Sequence, residues 1–302
     1  TAVYALLGTA LSACGLVSNM LIVSRWFTYM RGRATGILLM SSSIGGAVFP
    51  LIVGSLLEDG SWREALRWLA LIIMIFAFLP AIFYLKDQPL NFVKKTSASI
   101  VPHGPTVLTA LKDSRFYLIA LATGVVWFTI VGVTQHLSVF LSSDIGVDFS
   151  KIPLVFSTFF ACSIAGKFIF GWLGDHYNKT LMMIISIAIL ASGLLLLRII
   201  DSASDFSLFS YAVVAGIGFS GAFTMIQLLF ATYYAGNSFG KILAILMLVD
   251  TLSGALGTRV LADIREASGS YLPGINLMFG LLAVAVIALF IAKPKQGNEE
   301  NT

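Results

Sequence analysis

The sequence predicts an all-α, polytopic membrane protein. Three observations carry that prediction: composition, the length of the apolar segments, and their lack of polar alternation. Of 302 residues, 58% are hydrophobic and 11% charged, whereas a soluble domain is about 25% charged. A hydrocarbon core takes roughly 20 apolar residues per helix. Segments of that kind lie at 3–24, 34–57, 65–85, 116–140, 152–173, 181–199, 207–233, 242–262 and 272–292. Strands of an outer-membrane barrel would instead be about ten residues long and alternate in polarity. Leu71–Tyr84 and Met182–Leu197 are almost continuously apolar, and only helices satisfy such backbones inside lipid.

The loops between spans give an orientation. Assigned alternately, thirteen of the 19 Lys and Arg fall on one side, among them Arg31, Arg33, Lys94, Lys95, Lys112, Arg115, Lys179 and Lys241. The other six include Arg63, Arg198, Arg259 and Arg265. The positive-inside rule puts the first set, the 86–114 segment and the C-terminal tail in the cytoplasm of a plasma or inner membrane. The net charge of +4 then reports topology, and no basic soluble face is left for nucleic acid.

Several chemistries have no residues to carry them. Cys14 and Cys162 both fall within spans and read as packing residues. His103, His136 and His176 form no metal-ligand spacing, and neither a Walker loop nor a GxSxG elbow occurs. No enzyme, cofactor or metal is expected.

An internal repeat organises the spans. A shift of 208 positions lays Gly32, Arg33, Ile37, Leu38, Gly46, Ala47 and Glu58 on Gly240, Lys241, Ile245, Leu246, Gly254, Ala255 and Glu266. Both copies run from a Gly-basic pair through a helix to an acidic loop, as transporter repeats do. If one half begins near Arg115, the other begins about 93 residues before Thr1, room for three helices at about 30 residues each. The expected organisation is thus a partial N-terminal half over 1–85, a Pro-, Lys-, Ser- and Thr-rich linker over 86–114, a six-helix half over 115–292 and a tail over 293–302.

Two motifs add a resemblance. Gly171-Trp172-Leu173-Gly174-Asp175-His176-Tyr177-Asn178-Lys179 resembles the G-x-L-x-D-R-x-G-R-R/K loop of major facilitator superfamily transporters, with Gly171, Leu173, Asp175 and Lys179 in place. His176 and Asn178 depart from it, standing where Arg and Gly are usual. Trp26-Phe27 with Arg31-Gly32-Arg33-Ala34-Thr35-Gly36, Gln135-His136-Leu137, and Asp263 to Gly269-Ser270-Tyr271 resemble signatures of the monocarboxylate-porter and oxalate/formate-antiporter branch. The resemblance implies a fold of six plus six helices, of which the nine spans are helices 4–12. It also implies alternating access around a central site between the halves. Gly171, Asp175 and Lys179 then belong to a cytoplasmic gate, with Gly171 and Gly174 allowing close approach and Asp175 facing the positive end of a neighbouring helix. Small residues at Gly36–Gly54 and Ser253–Gly257 suit either helices that slide or static packing.

Polar groups at bilayer depth are costly and therefore informative. Lys167 lies eight residues before Asp175, about 12 Å from the helix end. By the resemblance it is the candidate for the substrate carboxylate; the competing reading puts it in the gate. Asp250, nine residues after Lys241, lies about 13 Å deep and is paired by the repeat with Ser42. It is the one acidic residue in the middle of a span and is read as a coupling or substrate residue, with pairing to a Lys or Arg of another helix as the alternative. Ser220, Thr224 and Gln227 share a helix face that either lines a cavity or bonds a neighbouring helix. Trp127 is a candidate cavity wall. Arg259 reads as an i,i+4 partner of Asp263, and His136 as a residue at the external boundary.

The expected function is secondary active transport of a small organic anion, with monocarboxylates first in line, coupled to protons or a counter-anion. The competing expectations are a carrier for drug-like or cationic solutes, which Asp250 would suit, and a non-transporting membrane sensor on the same fold.

Overall fold

The computed structural model describes residues 6–10, 15, 19, 31–84, 104–200, 204–234 and 238–292. Most of the span expected at 3–24, the Trp26-Phe27 pair, Cys14, His103, most of the 86–114 segment and the tail 293–302 lie outside the described residues. Among the described residues, eight helices are long and apolar enough to cross a membrane. They follow the order of the last eight expected spans. The chain divides into two compact units, Thr1–Val101 and Pro102–Thr302.

In the first unit, α1 (Arg31–Asp59) is followed by α2 (Trp62–Ile73), which continues through a π-helical turn (Met74–Phe78) into α3 (Leu79–Tyr84). The reversal between α1 and α2 is set by Ser61, extended at φ −90°, whose N–H donates to the Glu64 carboxylate at 3.4 Å. That back-bond satisfies an amide the new helix leaves unpaired. Phe76 and Phe83 are exposed, as side chains that meet lipid can be.

The second unit starts earlier than its first span. A short helix, α4 (Val107–Lys112), occupies part of the expected linker, because Thr106 accepts a hydrogen bond from the Thr109 amide. Asp113 then caps α5 (Ser114–Val139) through the Arg115 amide at 3.0 Å. A π-helical turn (Phe140–Ile145) ends α5, with left-handed Gly146 at φ 81° behind it. There follow α6 (Ile152–His176), α7 (Lys179–Arg198), α8 (Asp205–Tyr234), α9 (Phe239–Ser268) and α10 (Leu272–Ile291). Hydropathy alone stops α9 near 262. The helix runs on to Ser268 because Arg259 pairs with Asp263 at 2.9 Å on its exposed face.

α5 is the axis of this unit, with α9 and α10 packed along it, while α8 packs along α6 and α7. The apolar residues between them form one continuous core. With lipid as the competing solvent, such packing depends on close van der Waals contact. Gly257 shows how close: a Cβ there would run into the Phe128 carbonyl of α5.

Candidate functional site

Two buried ionisable residues sit deep within the second unit's helices. Lys167 is 5% exposed on α6, and its ammonium lies 4.9 Å from the centre of the Phe223 ring on α8. The Trp127 indole of α5 meets the same ring edge-on at 5.7 Å. A cation over a desolvated aromatic face gains up to about 2 kcal/mol, which offsets part of the cost of burying the charge. Phe223 thus joins two residues that the sequence nominated separately. Sequence reasoning passed it over, since a Phe every fourth position (Phe219, Phe223) in an apolar helix reads as packing. Gln227 lies one turn beyond Phe223. It is half-buried.

Asp250 is 6% exposed on α9, and its Oδ1 accepts a hydrogen bond from Thr123 Oγ1 of α5 at 2.8 Å. Among the described residues this is its polar partner. Thr123 and Trp127 stand one turn apart on α5, so that helix contacts Asp250 directly through Thr123 and meets, through Trp127, the Phe223 ring that lies under Lys167.

The Ser220–Thr224 face turns inward. Both hydroxyls donate to carbonyls of their own helix, Ser220 to Ile217 at 2.9 Å and Thr224 to Ser220 at 2.8 Å. Both side chains are buried, and Ser220 lies against Gly166 of α6. Among the described residues, neither hydroxyl bonds a neighbouring helix.

His136 also lies in an interhelical network. One ring nitrogen is 3.0 Å from the Thr258 carbonyl and the other 2.9 Å from the Tyr271 hydroxyl. Because a carbonyl only accepts, Nε2 carries a proton here. Arg265 pairs with Asp144 at 3.0 Å, and Asp144 also accepts the Tyr271 amide at 3.0 Å. Gly269, left-handed at φ 75°, ends α9 so that Tyr271 can enter this cluster. Burial, together with nearby Asp144 and against the pull of Arg265, pushes the Tyr271 phenol above its ordinary range. The Gly-Ser-Tyr ending singled out in the sequence thus ties α5, α9 and the start of α10 together.

At the other end of α6, a Cβ at Gly174 would run into Met225 and Leu228 of α8, whereas one at Gly171 would meet open space. Asp175 is exposed, and among the described residues no hydrogen bond ties it to a neighbouring helix. The two departures from the motif have local reasons. Asn178 accepts from the Leu181 amide at 3.1 Å and so caps α7. His176 bonds the Trp172 carbonyl at 2.8 Å, with the rings 4.6 Å apart.

An ionisable residue at bilayer depth is costly and marks a candidate functional site; the second unit buries two, a Lys and an Asp, on different spans. The chain belongs to the Major Facilitator Superfamily, whose family model matches residues 1–142 and 136–302. It is 24% identical over 264 residues to monocarboxylate transporter 13 of Rattus norvegicus, covering 82% of this chain and 56% of that protein. It is 25% identical over 287 residues to the probable nitrate transporter NarT of Staphylococcus haemolyticus (strain JCSC1435), covering 94% and 69%. It spans 43% of MFS-type transporter 1 of Ophiocordyceps sp. (strain BCC 1869). Among solved structures it resembles the transporter FucP in the outward conformation, with a TM-score of 0.63 at 13% identity, covering 92% of this chain and 72% of that one. It also resembles a bacterial homologue of the lysosomal transporter Spinster, at 0.59 and 15% identity, covering 90% and 72%. At those identities the likeness is one of fold.

Proposed function

We propose that the protein is a secondary carrier for a small organic anion, a monocarboxylate first, with Lys167 as the anion-binding cation and Asp250 as the coupling carboxylate. The observation that carries this reading is Lys167 itself. A cation held at bilayer depth against an aromatic wall, rather than drawn out to the interface, is positioned to attract a negative charge. Trp127 and Gln227 complete that subsite, the first offering an apolar surface and the second a hydrogen bond. Two of the similar proteins are a monocarboxylate transporter and a probable nitrate transporter by name, and both solutes are monoanions. Under this reading the partners are the bilayer, the solute and protons or a counter-anion, and the C-terminus is cytoplasmic. Residues 1–85 and 115–292 belong to the two halves, 86–114 links them, and Gly171, Asp175 and Lys179 form a cytoplasmic gate.

A second reading rests on Asp250. A buried carboxylate whose partner among the described residues is a hydroxyl would also suit a cationic or drug-like solute.

Uptake by the purified protein in proteoliposomes separates the two. The panel is a set of labelled short monocarboxylates, dicarboxylates and one organic cation, with and without a pH gradient. Saturable uptake of a monocarboxylate that is lost in Lys167→Ala supports the anion reading. Uptake of the cation alone overturns it.

A further inference from the structure

Thr123 has one hydroxyl proton and two acceptors within reach. Its Oγ1 lies 2.8 Å from Asp250 Oδ1 and 3.2 Å from the Ala120 carbonyl in the preceding turn of its own helix. Thr123 is fully buried. A hydroxyl donates one hydrogen bond and accepts two, whereas an ionised carboxylate only accepts and a protonated one also donates.

We propose that Thr123 is a positioning residue that acts as a two-way hydrogen-bond switch for Asp250. With Asp250 ionised, the Thr123 hydroxyl donates to Oδ1. When Asp250 takes a proton from hydronium, which leaves as water, a new O–H bond forms on Oδ1 and donates to Thr123 Oγ1. The Thr123 hydroxyl then turns to donate to the Ala120 carbonyl. One proton enters, two hydrogen bonds change direction, and no heavy atom has to move. Oδ1 and the Thr123 hydroxyl stay paired with each other in both protonation states, which avoids the cost of leaving either unpaired in an apolar interior.

The surroundings suit such a switch. Asp250 lies where α9 packs on α5, and the helices are close there: a Cβ at Gly124 would meet the Ser253 hydroxyl and Val249 of α9. The charged groups of the packed elements are remote along their helices. Lys241 and Arg259 are each nine residues from Asp250 on α9, about 13 Å in rise. Asp113 and Arg115 are ten and eight residues before Thr123, about 12 Å or more, and Lys112 ends α4 beyond them. α10 carries no ionisable side chain within 272–291, and Lys167 belongs to the Phe223 cluster. Among the described residues, the Thr123 hydroxyl is the group within hydrogen-bond distance of the carboxyl.

This inference rests on Asp250 being the coupling residue, and its test is independent of substrate. The infrared carboxyl band of the purified protein in lipid is followed across about pH 4 to 9, with Asp250→Asn identifying the part that belongs to Asp250. In Thr123→Val, which keeps the shape and loses the hydroxyl, that band should change wavenumber and should form at a proton concentration about tenfold lower than in the wild type, because the ionised form loses a bond to a charged group and the protonated form only a weaker, neutral one. Thr123→Ser should restore both. Should Val not fold, Thr123→Ala is read in the same way. A Val variant that titrates as the wild type does, a Ser variant that behaves as Val does, or the lack of any Asp250-dependent band overturns the proposal. Retention of pH-driven accumulation by Asp250→Asn would instead overturn the coupling role, leaving the band's response to Thr123 as a separate result.

Discussion

Replacing Asp144 with Ala removes one carboxylate that holds both the Arg265 guanidinium and the Tyr271 amide, each at 3.0 Å. The Asp144 side chain is 9% exposed and that of Arg265 34%. Breaking a fully buried pair costs about 3–5 kcal/mol; the partial exposure of Arg265 lets water recover some of that, leaving about 2–3 kcal/mol. The Arg259–Asp263 pair is the internal control, with side chains 76% and 47% exposed, and such pairs contribute about 1 kcal/mol or less. At roughly 2–4 °C per kcal/mol for a unit of this size, Asp144→Ala should lower Tm by about 4–12 °C, and Asp263→Ala by far less. Thermal unfolding of the two variants in the same detergent, followed by tryptophan fluorescence, measures both. Equal losses in the two variants would refute the reasoning that burial and the Tyr271 amide set the strength of this cluster.

Asp175→Asn should slow solute exchange while leaving half-saturation nearly unchanged, since the residue is exposed at the end of α6; weakened affinity at unchanged turnover would place it in the binding site instead. Gly257→Leu should cost more than about 1–3 kcal/mol, because its side chain would enter the Phe128 carbonyl. Gly280→Leu, at a position with open space, should leave Tm and folded yield close to the wild type. Lys167→Arg should keep part of the anion uptake that Lys167→Ala loses, because charge is retained while the bulkier, planar head fits Phe223 differently.

The eight spans among the described residues were legible because each is a long apolar run, and length and polarity suffice to identify a helix that meets lipid. Their ends were less so: α9 outruns its apolar stretch by pairing Arg259 with Asp263, and α4 lies in a segment whose polarity reads as a linker. Lys167 and Asp250 stood out because charge at depth is costly. Their immediate partners did not, since Thr123 and Phe223 look ordinary in sequence and acquire meaning only when α5 packs on α9 and α6 on α8. Ser220 and Thr224 show the reverse. Their spacing suggested an open or interhelical polar face, yet each hydroxyl bonds a carbonyl of its own helix, which a sequence pattern cannot distinguish. His136, read as a residue of the external boundary, holds two helices through Thr258 and Tyr271, a role that depends on where α9 ends.

The most direct test of the account compares two modes of transport in one variant. Wild-type and Asp250→Asn proteins are reconstituted in matched proteoliposomes with a labelled organic acid that the wild type accumulates. Counterflow exchange without a gradient is measured beside accumulation driven by a proton gradient alone. The account predicts that Asp250→Asn exchanges at a rate comparable to the wild type and does not accumulate. If Asp250→Asn concentrates the acid as the wild type does when only the proton gradient is supplied, Asp250 is not the coupling residue and the account is wrong at its centre.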